Sequence, residues 1–194
     1  MEEALAKASA IKSRKKVLNY DDYVALTPPD SGQYELHNGK IIEMPSPTPA
    51  YQDVAIRLSS HMFLHASTKK LGKVYAAPLD TLFDPINTFQ PDILFISKER
   101  ASIIGDKKIH GAPDLVVEIL SEGNSAKEMS YKKYIYESCL VKEYWLINLQ
   151  KQTVTVYANV EGELMPLGIY KNKDTVKSQV LNGFEIGVDD ILGS

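Results

Sequence analysis

Leu115-Val116-Val117-Glu118-Ile119-Leu120 is the stretch that decides the fold, a run of six residues in which only Glu118 is not aliphatic. Such a run predicts a β-strand that is covered on both faces, as strands are in α/β proteins. An isolated ionised carboxylate among aliphatic neighbours would cost several kcal/mol. We therefore expect a partner for Glu118, either a Lys or Arg side chain or a metal ion.

The clearest turn signal upstream of this strand is Asn38-Gly39, within residues 33–44. Both central positions of a two-residue hairpin turn need φ > 0, which Asn and Gly tolerate best. The turn predicts a β-hairpin in which His37 pairs with Lys40 and Glu35 lies opposite Ile42.

Hydrophobic periodicity predicts alternating strands and helices over the rest of the chain. The predicted elements are a short helix from Asp21 or Asp22 to Leu26, the hairpin over 33–44, a helix over 51–71 capped by Gly72, strands over 74–83, 92–96 and 115–120, a helix over 125–137 opened by a Ser125/Glu128 capping box, strands over 144–149 and 153–158, and a β-rich tail. This order predicts an α/β fold with a central mixed β-sheet flanked by helices and an N-terminal β-hairpin. We expect one domain over residues 20–194, preceded by a flexible arm over residues 1–19.

Composition excludes several classes of protein. The chain has 194 residues, 44% hydrophobic, with 22 Lys+Arg against 25 Asp+Glu and a net charge of −3, so neither a disordered chain nor a protein that coats nucleic acid by bulk charge is expected. A single cysteine, Cys139, excludes a disulfide scaffold and favours a reducing, cytoplasmic location. No apolar run approaches ~18 residues, so we expect no membrane span.

Acidic residues stand in or beside the predicted strands at four positions: Glu35, Asp92, Asp114 and Glu118. On the helix after the Glu118 strand, a rotation of about 100° per residue places Lys132 and Lys133 on either side of the apolar stripe. Either lysine could therefore pair with Glu118. Carboxylates on neighbouring strands with a nearby lysine are the groups used in metal-assisted phosphodiester hydrolysis, with Mg²⁺ as the ion that prefers their hard oxygens.

These residues also resemble a bacterial family of restriction endonuclease-like proteins within the PD-(D/E)XK nuclease superfamily. The segments that carry the resemblance are Tyr34 to Gly39, Met44 to Pro47, Gln90-Pro91-Asp92, Gly111 to Ser121, Lys132, Tyr136 and Glu143-Tyr144-Trp145. The likeness covers roughly residues 20–192, and its segments occur in the family's order.

The resemblance implies a restriction-endonuclease-like core and a metal-dependent endonuclease that acts on DNA. Asp92 and Glu118 would bind Mg²⁺, with Mn²⁺ as a substitute, and Glu35 would be a further metal-binding acid. The lysine expected two residues after Glu118 is replaced by Leu120, and Lys132 aligns with the lysine that this family carries on the following helix. Cleavage of both strands would be simplest for a two-fold homodimer with two sites.

Each acid also has a structural interpretation. Glu118 could form a buried salt bridge with Lys132 or Lys133, Glu35 could be a surface residue of the hairpin, and Asp92 and Asp114 could cap backbone N–H groups at strand ends. Asp80 could be a fifth member of the site or an ordinary edge residue. The alternative function is a non-catalytic module, binding nucleic acid or protein, in which acids and lysines only neutralise one another.

Overall fold

Two β-sheets and two long helices form most of the computed structural model, which describes residues 16–28, 32–120 and 126–193. The elements in chain order are α1 (Tyr20–Leu26), β1 (Tyr34–His37), β2 (Lys40–Glu43), α2 (Pro49–Thr68), β3 (Gly72–Ala76), β4 (Thr81–Asp84), β5 (Asn87–Phe89), β6 (Ile93–Ser97), a 3₁₀ helix (Lys98–Ile103), β7 (Ile109–His110), β8 (Leu115–Leu120), α3 (Ala126–Ser138), β9 (Glu143–Asn148), β10 (Thr153–Val160), β11 (Glu163–Lys171), β12 (Thr175–Lys177), β13 (Glu185–Gly187) and α4 (Val188–Leu192).

The larger sheet has the strand order β11-β10-β9-β8-β6-β3, with β8 inside it. Strand β8 runs parallel to β9 and antiparallel to β6, so the sheet is mixed. One face of β8, through Leu115, Val117 and Ile119, packs in a core cluster that includes buried residues of α2. Val116 packs on the other face with an aromatic cluster. The prediction of an α/β fold whose central strand is covered on both faces is confirmed.

The second sheet has the order β2-β1-β5-β4-β7 and contains the predicted N-terminal hairpin. Its register places Glu35 opposite Ile42 and His37 opposite Lys40, as predicted. The turn residues Asn38 and Gly39 have φ values of 49° and 67°. The hairpin therefore brings the acidic side chain of β1 toward the larger sheet.

The single strand predicted over residues 74–83 is wrong. The chain divides it into β3, which pairs with β6 in the larger sheet, and β4, which pairs with β5 in the smaller one. Pro78 lies between them and cannot donate a ladder hydrogen bond, so an unbroken strand is disfavoured there. Strand β5 was not predicted.

The predicted helix over 51–71 begins and ends earlier, at Pro49–Thr68. It begins at Pro49 because the Thr48 side chain accepts the Tyr51 N–H and caps the helix. The sequence predicted Gly72 as the C-cap of this helix, but the C-cap is Lys69, and Gly72 is the first residue of β3. A Cβ at Gly72 would lie 2.1 Å from the carbonyl oxygen of Ile96, so glycine is needed for this close approach of two strands.

Two predictions fall on residues outside the described ranges. The flexible arm over residues 1–19 lies there except for its last four residues, of which Leu18 donates its N–H to the carbonyl of Gly39 at 3.1 Å. The capping box at Ser125 lies outside as well, and α3 is described from Ala126. Within the described ranges, no helix has both the length and the apolar character needed to cross a membrane.

Candidate active site

Four side chains that are distant in sequence meet where the two sheets and α3 come together. Strand β1 supplies Glu35, the residue before β6 is Asp92, β8 supplies Glu118 and α3 supplies Lys132. All four line one cavity. The pairing of β6 with β8 brings Asp92 to the carboxyl-terminal half of β8, where its Oδ2 accepts the Ile119 N–H at 2.6 Å.

Lys132 is the cation at the centre of this site. Its side chain is buried, and its Nζ lies 3.0 Å from Glu35 Oε1 and 2.9 and 3.0 Å from the two oxygens of Glu118. Lys133, the other lysine beside the apolar stripe, pairs instead with Glu137 at 3.5 Å. The expectation of a lysine partner for Glu118 is therefore met by Lys132.

Glu35 is buried, not a surface residue of the hairpin, and both of its oxygens are engaged. Oε1 accepts the Gln90 N–H at 2.7 Å in addition to Lys132, and Oε2 lies 2.7 Å from His37 Nε2. The His37 ring packs 4.6 Å from the ring of Phe89. Burial would raise the pKa of Glu35, but Lys132 and His37 outweigh it and hold that pKa well below its usual range.

Two tyrosines complete the hydrogen bonds of the other acids. The Tyr136 hydroxyl donates to Glu118 Oε1, and the Tyr51 hydroxyl donates to Asp92 Oδ1. Burial and the adjacent carboxylates raise the pKa of both phenols, so both remain protonated donors at neutral pH. Tyr136 lies one helical turn after Lys132, a spacing that could have indicated a shared site. No sequence signal pointed to Tyr51.

The site holds more acids than cations. Burial raises the pKa of Glu118 to about 8, Lys132 opposes that rise, and the charges of Asp92 and Glu35 add to it. Burial also raises the pKa of Asp92, to about 6, again against the effect of Lys132. Three carboxylates therefore share one ammonium group, and the two that are not held by His37 retain a proton more readily than usual.

The cavity has a volume of about 250 Å³ and opens between α2 and residues 44–47. Three of its charged side chains, Glu35, Glu118 and Lys132, are buried and form its floor, and Asp92 is half-buried beside them. Among the described residues, no three or more His, Cys, Asp or Glu side chains form a group that could hold a metal ion by themselves. A cation here would take ligands from water or substrate as well as from the protein.

The remaining predicted acids lie elsewhere. Asp114 is buried at the start of β8, where it accepts the Ser97 N–H at 2.8 Å and pairs with Lys142 and Arg100. It does not line the cavity, in agreement with its interpretation as a cap. Asp80 accepts hydrogen bonds from Tyr20, Tyr23 and Gln90 and also lies outside the cavity.

Comparison with known proteins supports the resemblance seen in the sequence. The crystal structure of a putative nuclease belonging to DUF820 from Anabaena variabilis ATCC 29413 is similar to this chain, with a TM-score of 0.76 at 20% sequence identity, over 91% of this chain and 98% of that chain. No curated protein matches the chain. A profile of the family Uma2, described as "Putative restriction endonuclease", matches residues 20–189. The chain therefore belongs to the Uma2 family, which confirms the family expected from the sequence.

Proposed function

We propose that this protein is a Mg²⁺-dependent endonuclease that hydrolyses phosphodiester bonds in DNA. The observation that carries the proposal is a group of three carboxylates and a single ammonium in one cavity. Glu35 and Glu118 are buried and contact Lys132, and the half-buried Asp92 lines the same cavity. The family is described as a putative restriction endonuclease and its structural neighbour as a putative nuclease, and both descriptions favour the same reaction.

Asp92 and Glu118 are the residues that would hold the metal, because their oxygens are hard donors and their charges are not balanced by Lys132. Mg²⁺ commonly binds through one or two carboxylates and keeps several waters, so it does not need a cage built by the protein. When bound, Mg²⁺ would polarise the phosphodiester and lower the pKa of a coordinated water. Mn²⁺ prefers the same oxygen ligands and would substitute for it.

Lys132 is assigned the role of the placed cation. Its ammonium orients the attacking water and stabilises negative charge that develops on the phosphate oxygens. Tyr51 and Tyr136 hold the metal-binding carboxylates in position by donating to one oxygen of each. Glu35 fixes Lys132 from the opposite side. The expectation that Glu35 is also a metal ligand stays a prediction.

The proposal is tested by plasmid cleavage in Mg²⁺ or Mn²⁺. We expect Glu118→Ala and Lys132→Ala to lower the rate by at least about 100-fold, the scale on which a single group that stabilises transition-state charge acts. Lys133→Ala is the matched control, since its side chain lies on the same helix but pairs with Glu137, and it should cleave like the wild type. Circular dichroism establishes that each variant is folded.

Equal cleavage by all four proteins would indicate a contaminating nuclease and contradict the proposal. The alternative, a non-catalytic module, has its own signature. It predicts no cleavage, no Mg²⁺ or Mn²⁺ binding by calorimetry, and a protein that becomes more stable when the acids and Lys132 are together replaced by apolar residues.

A further inference from the structure

The rim of the cavity is neutral. Of the described residues that line it, Lys132 is the only cation, and it lies at the floor in contact with two carboxylates. Proteins that hold nucleic acid by its backbone, duplex or single strand, neutralise several phosphates with clustered Lys and Arg side chains, so a strand bound at this lining would be held mainly through its bases. The lining here offers instead side chains such as Met44, Gln52 and Ile56.

Arg57 of α2 and Lys69, the residue that caps the C-terminal end of this helix, are directed toward other parts of the molecule. A Cβ built at Gly193 would lie 3.1 Å from Cζ of Arg57, so this guanidinium packs against the C-terminal end of the described chain. A Cβ at Gly183 would lie 3.0 Å from Nζ of Lys69, which places that ammonium beside the loop before β13. Neither side chain lines the cavity.

Helix α2 presents an uncharged face along the cavity, which we call the α2 ledge and define as Gln52, Ile56, Ser59 and Phe63. Their spacing of four, three and four residues places them on one side of the helix. Ile56 is 61% and Phe63 58% exposed, although both are large apolar side chains. The first three residues line the active-site cavity.

The α2 ledge continues beyond the active site. Ser59 and Phe63 border a second cavity of about 250 Å³, which runs beside β3 and shares Ser59 and Ala76 with the first. The two cavities are therefore neighbours along α2, and the carboxylates line the first of them. The exposed ring of Phe63, at the second cavity, offers a face on which a nucleobase can stack.

The depth of the site also favours an unpaired strand over a duplex as the substrate. Glu35, Glu118 and Lys132 are only 1%, 4% and 2% exposed. A duplex is a stiff rod that presents its phosphates on the outside, so a phosphate reaches a recessed group only if the protein deforms the DNA. An unpaired strand bends easily, and its bases can pack on apolar and aromatic side chains without matching a sequence.

We infer that the substrate is an unpaired DNA strand, whose bases lie along the α2 ledge while its scissile phosphodiester enters the acidic cavity. This inference rests on the proposed nuclease function. The homodimer expected for cleavage of a duplex is not required by such a substrate.

The first test compares substrates. We expect the wild type to cleave a single-stranded oligonucleotide at least about tenfold faster than the same sequence as a duplex, since each stacked base contributes appreciably to binding. Equal or faster cleavage of the duplex would overturn the inference. Bis(p-nitrophenyl) phosphate separates the two proposals, because failure to hydrolyse this small diester or any DNA removes the nuclease function itself.

A binding measurement tests the inference even if the protein hydrolyses no diester. Fluorescence anisotropy of a labelled oligonucleotide in EDTA should show tighter binding of the single strand than of the duplex, and the reverse order would overturn the proposal. Ile56→Ala and Phe63→Ala should each weaken binding of the single strand about five- to tenfold, and raise KM more than they lower kcat.

Leu64→Ala is the matched control. Leu64 follows Phe63 directly on α2 and is 67% exposed, but it lines neither cavity. This variant should bind and cleave the single strand like the wild type. If Phe63→Ala instead changes the elution volume in size-exclusion chromatography and leaves the affinity for DNA unchanged, the α2 ledge is a protein interface and the inference is wrong.

Discussion

Strand β8 is associated with two buried carboxylates that differ in their partners. Asp114, directly before the strand, is 0% exposed and pairs with two cations, Lys142 at 2.7 Å and Arg100 at 3.3 Å. Glu118, four residues later, must share Lys132 with other acids. One centre therefore has more cations than acids, and the other has more acids than cations.

This difference gives the two acids pKa shifts of opposite sign, although burial by itself raises the pKa of both. Burial would raise the pKa of Asp114, but Lys142, the Ser97 N–H and Arg100 outweigh it and lower that pKa. At Glu118 burial prevails and the pKa is raised. A buried acid is thus no sign of function by itself, whereas an unbalanced group of acids beside an open cavity can accept a further cation.

The largest expected effect comes from removing one cation at each centre. Lys132→Met leaves the buried carboxylates of Glu35 and Glu118 without their common partner, and we expect a loss of about 3–5 kcal/mol in the free energy of unfolding. Lys142→Met leaves Asp114 paired with Arg100, and because the Lys142 side chain is 56% exposed the loss should stay below about 1 kcal/mol. Urea denaturation in EDTA measures both. Equal losses would remove the distinction between the centres.

Adding a divalent cation should stabilise one centre only. At about 100 times its dissociation constant, Mg²⁺ should raise the free energy of unfolding of the wild type by about 2.7 kcal/mol. Asp114→Asn should keep this gain and Asp92→Asn should lose it, as measured by thermal unfolding with and without Mg²⁺. Stabilisation that survives in Asp92→Asn would contradict the assigned ligands.

The role of the third acid, Glu35, is tested by thermal unfolding of Glu35→Gln with and without Mg²⁺. Because Lys132 and His37 balance the charge of Glu35 and hold its pKa low, we expect this variant to retain most of the gain from Mg²⁺ while its cleavage rate falls. Loss of Mg²⁺ binding would instead support the sequence-based prediction that Glu35 is a metal ligand.

The two acids of β8 should also respond oppositely to pH. The pKa of Asp114 is lowered on folding, so its stabilisation is present above the ordinary value of 3.8 and is lost as the pH falls through the lowered value. Asp114→Asn should therefore be less stable than the wild type at pH 7, by an amount that shrinks as the pH falls below 3.8. The Glu118 pKa rises from 4.5 to about 8, so without metal its contribution is present below 4.5 and is lost as the pH rises toward 8.

Glu118→Gln removes this dependence on pH. Relative to the wild type in EDTA, the variant should become steadily more stable between pH 4.5 and about 8. Unfolding curves over this range measure the difference. A variant that loses stability relative to the wild type as the pH rises would show that Lys132 balances Glu118 fully, and the comparison with Asp114 would fail.

Local patterns were sufficient to predict part of this arrangement. The aliphatic run of β8, the Asn38-Gly39 hairpin and the inward position of Lys132 each depend on residues that are close in sequence. The presence of Glu118 in a buried strand predicted a partner for it. The strand pattern also pointed to Asp92 and Glu35, and the resemblance to a known family supplied their expected role as metal ligands.

The rest depends on contacts between distant segments. Alternation along β8 places Asp114 and Glu118 on one face and cannot distinguish them, because the cations of Asp114 come from Arg100 and Lys142 on other elements. The hydrogen bond from Tyr51 to Asp92 joins residues 41 positions apart. The exchange of the chain between sheets at Pro78 likewise depends on which strands β3 and β4 find as partners.

The smallest expected effect is a difference in stability between variants of two tyrosines, which both belong to the aromatic cluster that packs on the Val116 and Glu118 face of β8. Tyr136 and Tyr144 are both buried, with ring centroids 5.4 Å apart, but only Tyr136 donates to Glu118. The Tyr144 hydroxyl has no hydrogen-bond partner in the described part of the chain. Tyr136→Phe should therefore cost about 1 kcal/mol, the net contribution of one hydrogen bond, whereas Tyr144→Phe should cost nothing measurable. Denaturation at pH 8 in EDTA compares the two, and an equal cost would mean that the rings alone matter and that the hydroxyl does not hold the carboxylate in place.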